Sequence, residues 1–364
     1  MRILLLNLKC DPDNAPIAFA CDWAEEIARR AEAVYVITNH LGDWTPPANV
    51  TVRSLGAETN TANTVRAMRL WRYAAEALFR WRADLCFAHM APLFLAMVAP
   101  LSKIAGRPSV LWYAHRHVDP VVRLAVGLSD ACATSTPAGL NVKSGKIRVL
   151  SQGVSIARMT GVGATRRDPS VCRIVTLGRV SPVKRLELQI RAVALLPADI
   201  REEVRLEIVG DPVNPGDDAY LEGLKALASE LGVAAQVEFS PAVAFRDMPE
   251  VWARADVGIN TSPFGAIDKA GLEPMAAGLP CVTANASFVK ALGEAYAPYC
   301  APGDDPQALA DALEPVVRMS HEERAAVGAR FGAVVAAEHS VGSVVSKLFA
   351  LFDDVLAGRG RAPA

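Results

Sequence analysis

Short apolar runs alternate with stretches of helical periodicity along almost the whole chain. In the first half, runs rich in β-branched residues predict seven strands, and several of the stretches between them repeat apolar residues at helical spacing. The predicted strands are Ile3–Leu6, Ala33–Thr38, Val50–Ser54, Leu85–Ala88, Val110–Tyr113, Ala131–Thr134 and Ile147–Leu150. The predicted helices are Asp22–Arg30, Ala62–Arg82, Leu93–Ala105 and Pro120–Val126. Strands separated by helices indicate βαβ units and a parallel sheet.

The same pattern starts again after a polar, glycine-bearing segment at 151–171, which is the best candidate for a linker. Five further strands are predicted in "CRIVTLG" (172–178), "RLEIVGD" (205–211), "AQVEFS" (235–240), "ADVGINTS" (255–262) and "PCVTAN" (280–285). The helices that accompany them are Leu186–Leu196, Asp218–Leu231, Asp247–Trp252, a segment after Asp268, and Asp305–Gly332.

We therefore predict an α/β protein with two Rossmann-like parallel-sheet domains that face a cleft. The first covers 1–155 and the second 156–338, and a last helix in 339–364 is expected to return to the first domain. Ligands of such sheets bind beyond the carboxyl ends of the strands, so the loops that follow strands are the places to look for chemistry.

Composition narrows the class of protein. The 364 residues are 51% hydrophobic and 21% charged, with a formal net charge of −1, which is typical of a globular protein and gives no bulk attraction for nucleic acid. Seven scattered cysteines without a CxxC pair indicate reduced core thiols. The most apolar long stretch, 90–106, is shorter than the ~20 residues that span a bilayer, and we expect a cytoplasmic protein.

The loop "GRVSPVKR" (178–185) follows a predicted strand and precedes a helix. Gly178 permits close backbone approach, while Arg179 and Lys184 bring cations to a helix N-terminus, which itself favours anions. This arrangement favours a diphosphate site. An ordinary solvated loop, with its cations paired to carboxylates such as Glu187, stays open as the alternative.

Two common nucleotide motifs and the usual metal-ligand spacings are absent from the sequence. No GxGxxG lies between a strand and a helix, and no GxxxxGK[ST] loop is present, which argues against dinucleotide oxidoreduction and nucleoside-triphosphate hydrolysis. The histidine and carboxylate spacings match no zinc or iron site, so we assign no metal and no cofactor.

The stretch "PFGAIDKAGLEPMAAGLP" (263–280) places three charges in an otherwise apolar run. Asp268 is a candidate N-cap for the helix that follows. Glu273 falls on what should be a packed segment, where a carboxylate needs hydrogen-bond donors, and ligand hydroxyls are natural donors for it.

Together these loops resemble the retaining glycosyltransferases of group 1, which have the GT-B fold. The family has "GR....KG" after the first strand of its second domain, then "L.IVG", and a Glu-x7-Glu block that ends "LEAMA.G.PVV". This chain has "LGRVSPVKR", "RLEIVGD" and "LEPMAAGLPCVTAN", and the resemblance covers about 171–290. The first half fits more loosely, through "ADLCFAHMAP" and "LWYAH". A subgroup with the block "DK..LEAMA" is the most similar.

The resemblance implies roles for individual positions. Arg179 and Lys184 correspond to the pair that binds the donor diphosphate, and Glu273 to the acid that binds the ribose. His115 corresponds to the first-domain histidine near the donor sugar, although whether it or His117 faces the cleft stays open. The implied set is Arg179, Lys184 and His115 as catalytic groups and Gly178, Gly265, Ala266, Ile267, Asp268, Lys269 and Glu273 as substrate-binding groups.

Two departures from the family pattern lie in the block around Glu273. Gly265 occupies the position of the first glutamate of the block, which in the family contacts the donor sugar, and we expect Asp268 to take over part of that task. Pro274 replaces an alanine. Inside a helix it would remove a hydrogen bond, so either the helix starts later or Glu273 lies at a kink.

The resemblance implies transfer of a sugar from a nucleotide-diphosphate donor, with retention of anomeric configuration and without a metal. The acceptor would be a saccharide, a lipid-linked molecule or a small molecule. In this family a leaving-group oxygen is thought to help deprotonate the acceptor, so no side-chain base is needed. Two alternatives stay open: a nucleotide-sugar epimerase or hydrolase on the same fold, and a nucleotide-binding protein without turnover.

The segment "TVRAMRLWRYAAEALFRWRADL" (64–85) has five arginines against one glutamate, together with Trp71, Tyr73, Phe79 and Trp81. One interpretation is a helix that makes a peripheral contact with the inner face of the membrane and serves a lipid-linked acceptor. The other is an ordinary amphipathic helix packed on the first sheet.

Overall fold

A computed structural model describes residues 1–13, 18–115, 117–159, 170–263 and 267–358. The chain divides into two compact units. The first comprises Met1–Gly153 together with the residues from Val341 onward, and the second comprises Val154–Ser340. Each unit is built on one parallel sheet.

The first sheet has seven strands and the second has five. The strands of the first are β1 (Arg2–Cys10), β2 (Ala33–Leu41), β3 (Val50–Ser54), β4 (Leu85–His89), β5 (Ser109–Trp112), β6 (Ala131–Thr134) and β7 (Ile147–Val149). Those of the second are β8 (Cys172–Leu177), β9 (Val204–Val209), β10 (Val237–Ser240), β11 (Val257–Asn260) and β12 (Cys281–Thr283). The strand orders are β3-β2-β1-β4-β5-β6-β7 and β10-β9-β8-β11-β12.

Helices connect the strands in both units. Those of the first unit are α1 (Phe19–Arg30), α2 (Asn63–Ala75), α3 (Pro92–Ile104), α4 (Pro120–Leu128) and, at the end of the chain, α14 (Val341–Leu356). Those of the second are α5 (Ile156–Met159), α6 (Leu186–Leu195), α7 (Ala198–Arg201), α8 (Asp217–Glu230), α9 (Met248–Ala253), α10 (Lys269–Ala276), α11 (Ser287–Leu292), α12 (Pro306–Arg318) and α13 (His321–Glu338).

The first sheet is covered on both faces, as a parallel sheet requires. Ile3 and Leu5 of β1 pack with α1 and α14 in one core. Leu4 and Leu6 point to the other face and pack with α2, α3 and α4 in a second core. The last helix belongs to the first unit, and its Phe352 is fully buried against this sheet.

The second sheet packs with α6, α8 and α12 in one large core. Most residues of its strands β8 and β9 are buried, including Glu207, whereas Arg173 and Arg205 are half-buried. The order of strands reverses between β8 and β11, which are neighbours in the sheet although two strands separate them in sequence. This reversal decides where the polar loops meet.

The expected helix Asp305–Gly332 is wrong, because two helices cover this range and the second runs to Glu338. The helical structure is interrupted before Ser320, which is the N-cap of α13 and forms a capping box. The Ser320 hydroxyl oxygen accepts from the Glu323 amide at 3.2 Å, and the Glu323 carboxylate accepts from the Ser320 amide at 2.7 Å. The range Ala62–Arg82 also differs, since α2 ends at Ala75 and Glu76–Arg80 continue as a π-helix.

Among the described residues, the structure contains no helix with the length and hydropathy needed to cross a bilayer. All seven cysteines lie in the described part of the chain, and they are free thiols. Six are buried, as a role in core packing predicts.

Candidate functional site

The candidate site lies in the second unit, at the carboxyl ends of β8 and β11. Because the strand order reverses there, the loops that leave these two strands diverge and leave a crevice between them. A small pocket, open to solvent, lies in this crevice. The residues lining it include Gly178 and the polar residues Arg179, Lys184, Asn260, Thr261 and Ser262.

Glycines hold the loop after β8 close to its neighbour. A Cβ atom on Gly210 would lie 1.9 Å from the carbonyl oxygen of Gly178, so the backbones of the two loops are in direct contact there. Gly210 has a φ of +154° and Gly178 a φ of +147°, conformations that side chains rarely adopt. The wall of the pocket at Gly178 is therefore bare backbone.

Arg185 and Thr261 bind the two loops together. Arg185 has a left-handed φ of 50°, and its guanidinium donates to the Thr261 carbonyl at 2.7 Å and to the Gly303 carbonyl at 3.1 Å. The Thr261 hydroxyl donates to the Lys184 carbonyl at 2.7 Å and accepts from the Gln189 amide at 2.9 Å. These bonds fix the backbone from which the Lys184 side chain projects.

Lys184 forms an ion pair with Asp268 across the pocket. The Asp268 Oδ2 atom also accepts from the Ser262 hydroxyl at 2.5 Å and from the Asn260 side-chain amide at 3.2 Å. Its other oxygen accepts from the Ala270 amide at 3.3 Å, which caps the N-terminus of α10. One carboxylate thus joins the loop after β8, the loop after β11 and the start of a helix.

The surroundings keep Asp268 ionised. Burial alone would raise its pKa, but the charge of Lys184 and the donors on Ser262 and Asn260 outweigh it and hold the pKa well below the usual range. Lys184 and Asp268 are each 20% exposed, so the pair is only partly screened by water. A ligand anion that approaches Lys184 therefore meets an ammonium that is already held in place.

Glu273 lies on α10 and is buried, with 7% of its surface exposed. Burial raises the pKa of its carboxyl to about 7; the charge of Lys269 opposes this rise, and Asp268 adds to it. The carboxyl can therefore exist in either form near neutral pH, and donors from a ligand would favour the ionised form.

Helix α10 starts directly after Asp268 and not later, so Pro274 lies inside it. Its ring packs against β11, where a Cβ on Gly258 would lie 2.5 Å from the ring. The proline therefore fills space that a glycine leaves open. This packing brings the helix that carries Glu273 close to the strand.

Arg179 is exposed at the mouth of the pocket, and no hydrogen bond or ion pair joins it to another described residue. Asp217, at the start of α8, is near enough for the two charges to interact. The Asp217 pKa is lowered chiefly by the Asn214 amide, which donates to its carboxylate at 2.9 Å, and to a smaller extent by Arg179. Arg179 is thus available to an anion from solvent.

The remaining predicted residues are distributed as follows. Ile267 is buried and Lys269 is half-buried at the start of α10, while Gly265 and Ala266 lie outside the described residues. His115 belongs to the first unit, on the loop after β5, and both it and His117 are exposed. The His117 amide donates to His115 Nδ1 at 3.1 Å, which orients the His115 ring.

Sequence reasoning missed the residues that support the ion pair. Asn260, Thr261 and Ser262 form a polar tail on an otherwise buried strand, and each makes a bond to the loops described above. The tail "NTS" is visible in the sequence, because polar residues at the end of a buried strand need partners. Within the described ranges, no group of three or more His, Cys, Asp or Glu is arranged to hold a metal ion.

The residues that line the pocket lie within a part of the chain that matches a family model. Residues 166–330 match the family model of glycosyl transferases group 1. The chain is 29% identical over 225 residues to a D-inositol 3-phosphate glycosyltransferase of Geodermatophilus obscurus, covering 59% of this chain and 49% of that protein. It is 31% identical over 233 residues to the protein of the same name from Mycolicibacterium gilvum, covering 60% and 48%. The chain spans about half the length of the curated relatives it matches.

Solved structures share the fold at low sequence identity. The Anabaena protein HepE, in complex with UDP, superposes with a TM-score of 0.71 at 19% identity, over 97% of this chain and all of the other. Sucrose-phosphate synthase from Thermosynechococcus elongatus gives a TM-score of 0.72 at 16% identity, over 98% and 100%. The predicted fold class, two parallel-sheet α/β domains of the GT-B type, is confirmed.

Proposed function

We propose that this chain is a group 1 glycosyltransferase that moves a sugar from a nucleotide-diphosphate donor to an acceptor hydroxyl, with retention of anomeric configuration and without a metal. The observation that carries the proposal is the pocket at the β8–β11 reversal. There a bare glycine backbone, an oriented lysine and an arginine without a partner among the described residues meet beside a capped helix. This region lies within the match to the family model.

The cations would bind the diphosphate and stabilise the charge that develops on it as the glycosidic bond breaks. Arg179 offers a forked guanidinium with no competing partner among the described residues. The Lys184 ammonium has three N–H donors. Because Asp268 accepts from this ammonium, Lys184 is held in place and still has donors for phosphate oxygens. Groups that are already oriented need no reorganisation as charge grows on the leaving group.

The acids of α10 would have different tasks. Glu273 would accept hydrogen bonds from the ribose hydroxyls, which suits a buried acceptor-only group. Asp268 would act on the donor through Lys184 as a positioning residue, because its Oδ2 atom already accepts three donors and its Oδ1 atom caps the helix. Full replacement of the acid missing at Gly265 is therefore not part of the role we assign to Asp268.

The first domain would bind the acceptor, with His115 near the donor sugar. A leaving-group oxygen would take the acceptor proton, so the bond to the diphosphate breaks as the new glycosidic bond forms on the same face. The acceptor would be a saccharide, a lipid-linked molecule or a small molecule. D-inositol 3-phosphate deserves inclusion among the candidates because the matching relatives carry its name.

A thermal-shift panel of UDP, GDP, ADP and their sugars tests donor binding. A bound donor stabilises the folded protein by RT ln(1 + [L]/Kd), about 2.7 kcal/mol at 100 times Kd, so the preferred base should give a clear rise in Tm. No shift with any of these nucleotides would refute donor binding. The same panel with EDTA present should give the same result if no metal takes part.

A turnover assay then separates transfer from its alternatives. The preferred donor is incubated with saccharides, inositol 3-phosphate and lipid extracts, and the anomeric configuration of the product is read by NMR. Retained configuration in an acceptor product supports the proposal. Donor isomerised or hydrolysed without an acceptor would identify an epimerase or hydrolase, and binding without any turnover would identify a nucleotide-binding protein.

A further inference from the structure

Helices α2, α3 and α4 form one layer on the first sheet. Helix α3 packs beside both others, and buried side chains such as Leu70, Leu95 and Val122 point from all three helices into the same core. The opposite sides of these helices form the outer surface of the layer. We call this surface, together with the π-helical continuation of α2, the basic-apolar face.

Large apolar side chains are concentrated on this face. Twelve large hydrophobic residues of the described chain are exposed, and six of them lie on these three helices and the π-helical turn. They are Met68 (65% exposed), Trp71 (55%), Phe79 (50%), Leu93 (51%), Ile104 (75%) and Leu124 (54%). Half of the exposed large hydrophobics therefore belong to one layer, which a random scatter over the surface does not explain.

The spacing puts these groups on the outer side of each helix. In α2 and its continuation, Met68, Trp71 and Phe79 repeat at helical spacing, while Leu70 and Leu78 on the other side are buried. In α3, Leu93 and Ile104 are separated by eleven positions, which is three turns of a helix. The apolar groups thus point away from the core that the same helices cover.

Most charges on the face are positive. The exposed cations on it are Arg72, Arg80, Lys103 and Arg123, and Arg82 lies just beyond the π-helical turn; none of the five has an acidic partner among the described residues. The one acid in these helices and the π-helical turn is Glu76, whose carboxylate accepts from Arg53 at 3.4 Å. Since the whole chain has a formal charge of −1, this positive charge is a local feature.

We propose that the basic-apolar face binds the surface of a bilayer that contains anionic lipids. Arginine stems can lie along apolar surface while their heads reach phosphate groups, and Trp71 has the amphipathic ring that favours the interface. The excess of positive charge on the face adds electrostatic attraction to an anionic leaflet. A protein partner would have to supply both acids and an apolar surface to match the same face. This surface is independent of the transfer reaction.

Vesicle co-sedimentation of the full chain tests the proposal. The protein should pellet with phosphatidylcholine vesicles that contain about 30 mol% phosphatidylglycerol, and it should stay in the supernatant with pure phosphatidylcholine. Raising the salt from about 0.1 M to about 1 M should release it, because the Debye length falls from ~10 to ~3 Å. Tryptophan emission should shift to the blue, since Trp71 is far more exposed than Trp23, Trp44, Trp112 and Trp252.

Two double variants separate the apolar and the charge contributions. Trp71→Ser with Phe79→Ser should lower the vesicle partition coefficient by about tenfold or more. Arg72→Glu with Arg80→Glu should do the same on anionic vesicles. The matched controls lie in the second unit: Leu195→Ser with Val213→Ser for exposed apolar groups, and Arg191→Glu with Arg330→Glu for exposed cations.

The controls should bind as the wild type does, and every variant should keep a wild-type Tm. Failure of the wild type to bind anionic vesicles would overturn the proposal, as would equal losses in the face variants and the controls. If the wild type instead self-associates in gel filtration and the face variants abolish that, the face is a protein interface and the proposal is wrong.

Discussion

The two sheets reverse their strand order in the same way, but the residues at the two reversals differ. In the second sheet, β8 and β11 lead into a pocket with Lys184, Asp268 and a bare glycine backbone. In the first sheet, β1 and β4 are the neighbours at the reversal, and aromatic rings fill the end of β4. His89 stacks on Trp23 at 4.4 Å with 22° between the ring planes, and Trp23 lies 4.7 Å from Trp112.

The difference shows that topology provides a crevice and the side chains decide its use. Strand order alone would predict a ligand site at both reversals. At the second reversal, short polar side chains and glycines leave the crevice open. At the first, Trp23 and His89 are buried and close it with packed rings. We therefore expect substitutions at the two reversals to have different consequences.

The largest effect is expected from Trp23→Ala. The side chain is fully buried between His89 and Trp112, so its removal leaves a cavity that should cost about 3–5 kcal/mol of unfolding free energy. Urea denaturation measures this loss, and Trp71→Ala, at an exposed position, is the matched control. The Tm shift with nucleotide should survive in Trp23→Ala. Its selective loss would contradict the division of roles between the two reversals.

Lys184→Ala should act on chemistry more than on folding. Loss of an oriented cation beside the leaving diphosphate should lower kcat by about 100- to 1,000-fold, or roughly 3–4 kcal/mol, while circular dichroism stays unchanged. Arg179→Ala is expected to behave in the same way. Lys225→Ala, an exposed lysine of α8, is the control and should have wild-type kinetics. Wild-type rates in both pocket variants would refute the proposed role of these cations.

Asp268→Asn tests the carboxylate that holds Lys184. Asparagine is also a good N-cap, so the start of α10 should persist while the charge is lost. At pH 7 we expect a loss of about 2 kcal/mol in unfolding free energy. The native pKa of Asp268 is depressed, so its contribution is complete above the unfolded value of about 4 and fades as the pH falls below it. The gap to wild type should therefore narrow in acid.

The control for this variant is Asp199→Asn, which removes an exposed ion pair with Arg318 and should leave the denaturation midpoint unchanged. A similar loss in both variants would mean that the position of the pair in the pocket adds nothing to its strength.

The smallest effect concerns the pH dependence of donor binding. The pKa of Glu273 is raised to about 7, so the carboxyl is mostly protonated at pH 6 and mostly ionised at pH 8. Since ribose hydroxyls should bind the ionised form, the affinity for the preferred nucleotide sugar should rise about tenfold over this range. Nucleotide sugars are the right probe, because they lack the terminal phosphate that titrates near pH 6. Calorimetry on Glu273→Gln should give a flat profile, and a flat wild-type profile would exclude the ribose contact.

Most of the fold could be predicted from periodicity, because most strands are short runs dominated by apolar residues. The break between α12 and α13 was missed although Ser320 and Glu323 form a readable capping box. Helical periodicity continues across the break, and it masked the local signal. The π-helical turn at Glu76–Arg80 has no such marker in the sequence.

The site could be predicted in part. The cations and acids were visible as charges after strands, but the pairing of Lys184 with Asp268 depends on β8 lying beside β11. Strand adjacency of this kind arises from the whole sheet, and no local pattern encodes it. The same holds for the support from Asn260 and Ser262, which became evident only once their common acceptor was known.

The path of the chain makes the second unit an insertion. It begins at Val154 and ends at Ser340, and the Val154 amide donates to the His339 carbonyl at 2.8 Å, so the two ends of the insert are adjacent. The ends of the first unit also meet, since a Cβ on Gly153 would lie 3.4 Å from the Cα of Val341. We therefore expect that each unit can be produced alone. The second unit would be residues 154–340, and the first unit would be made by joining residue 153 to residue 341 through a short linker.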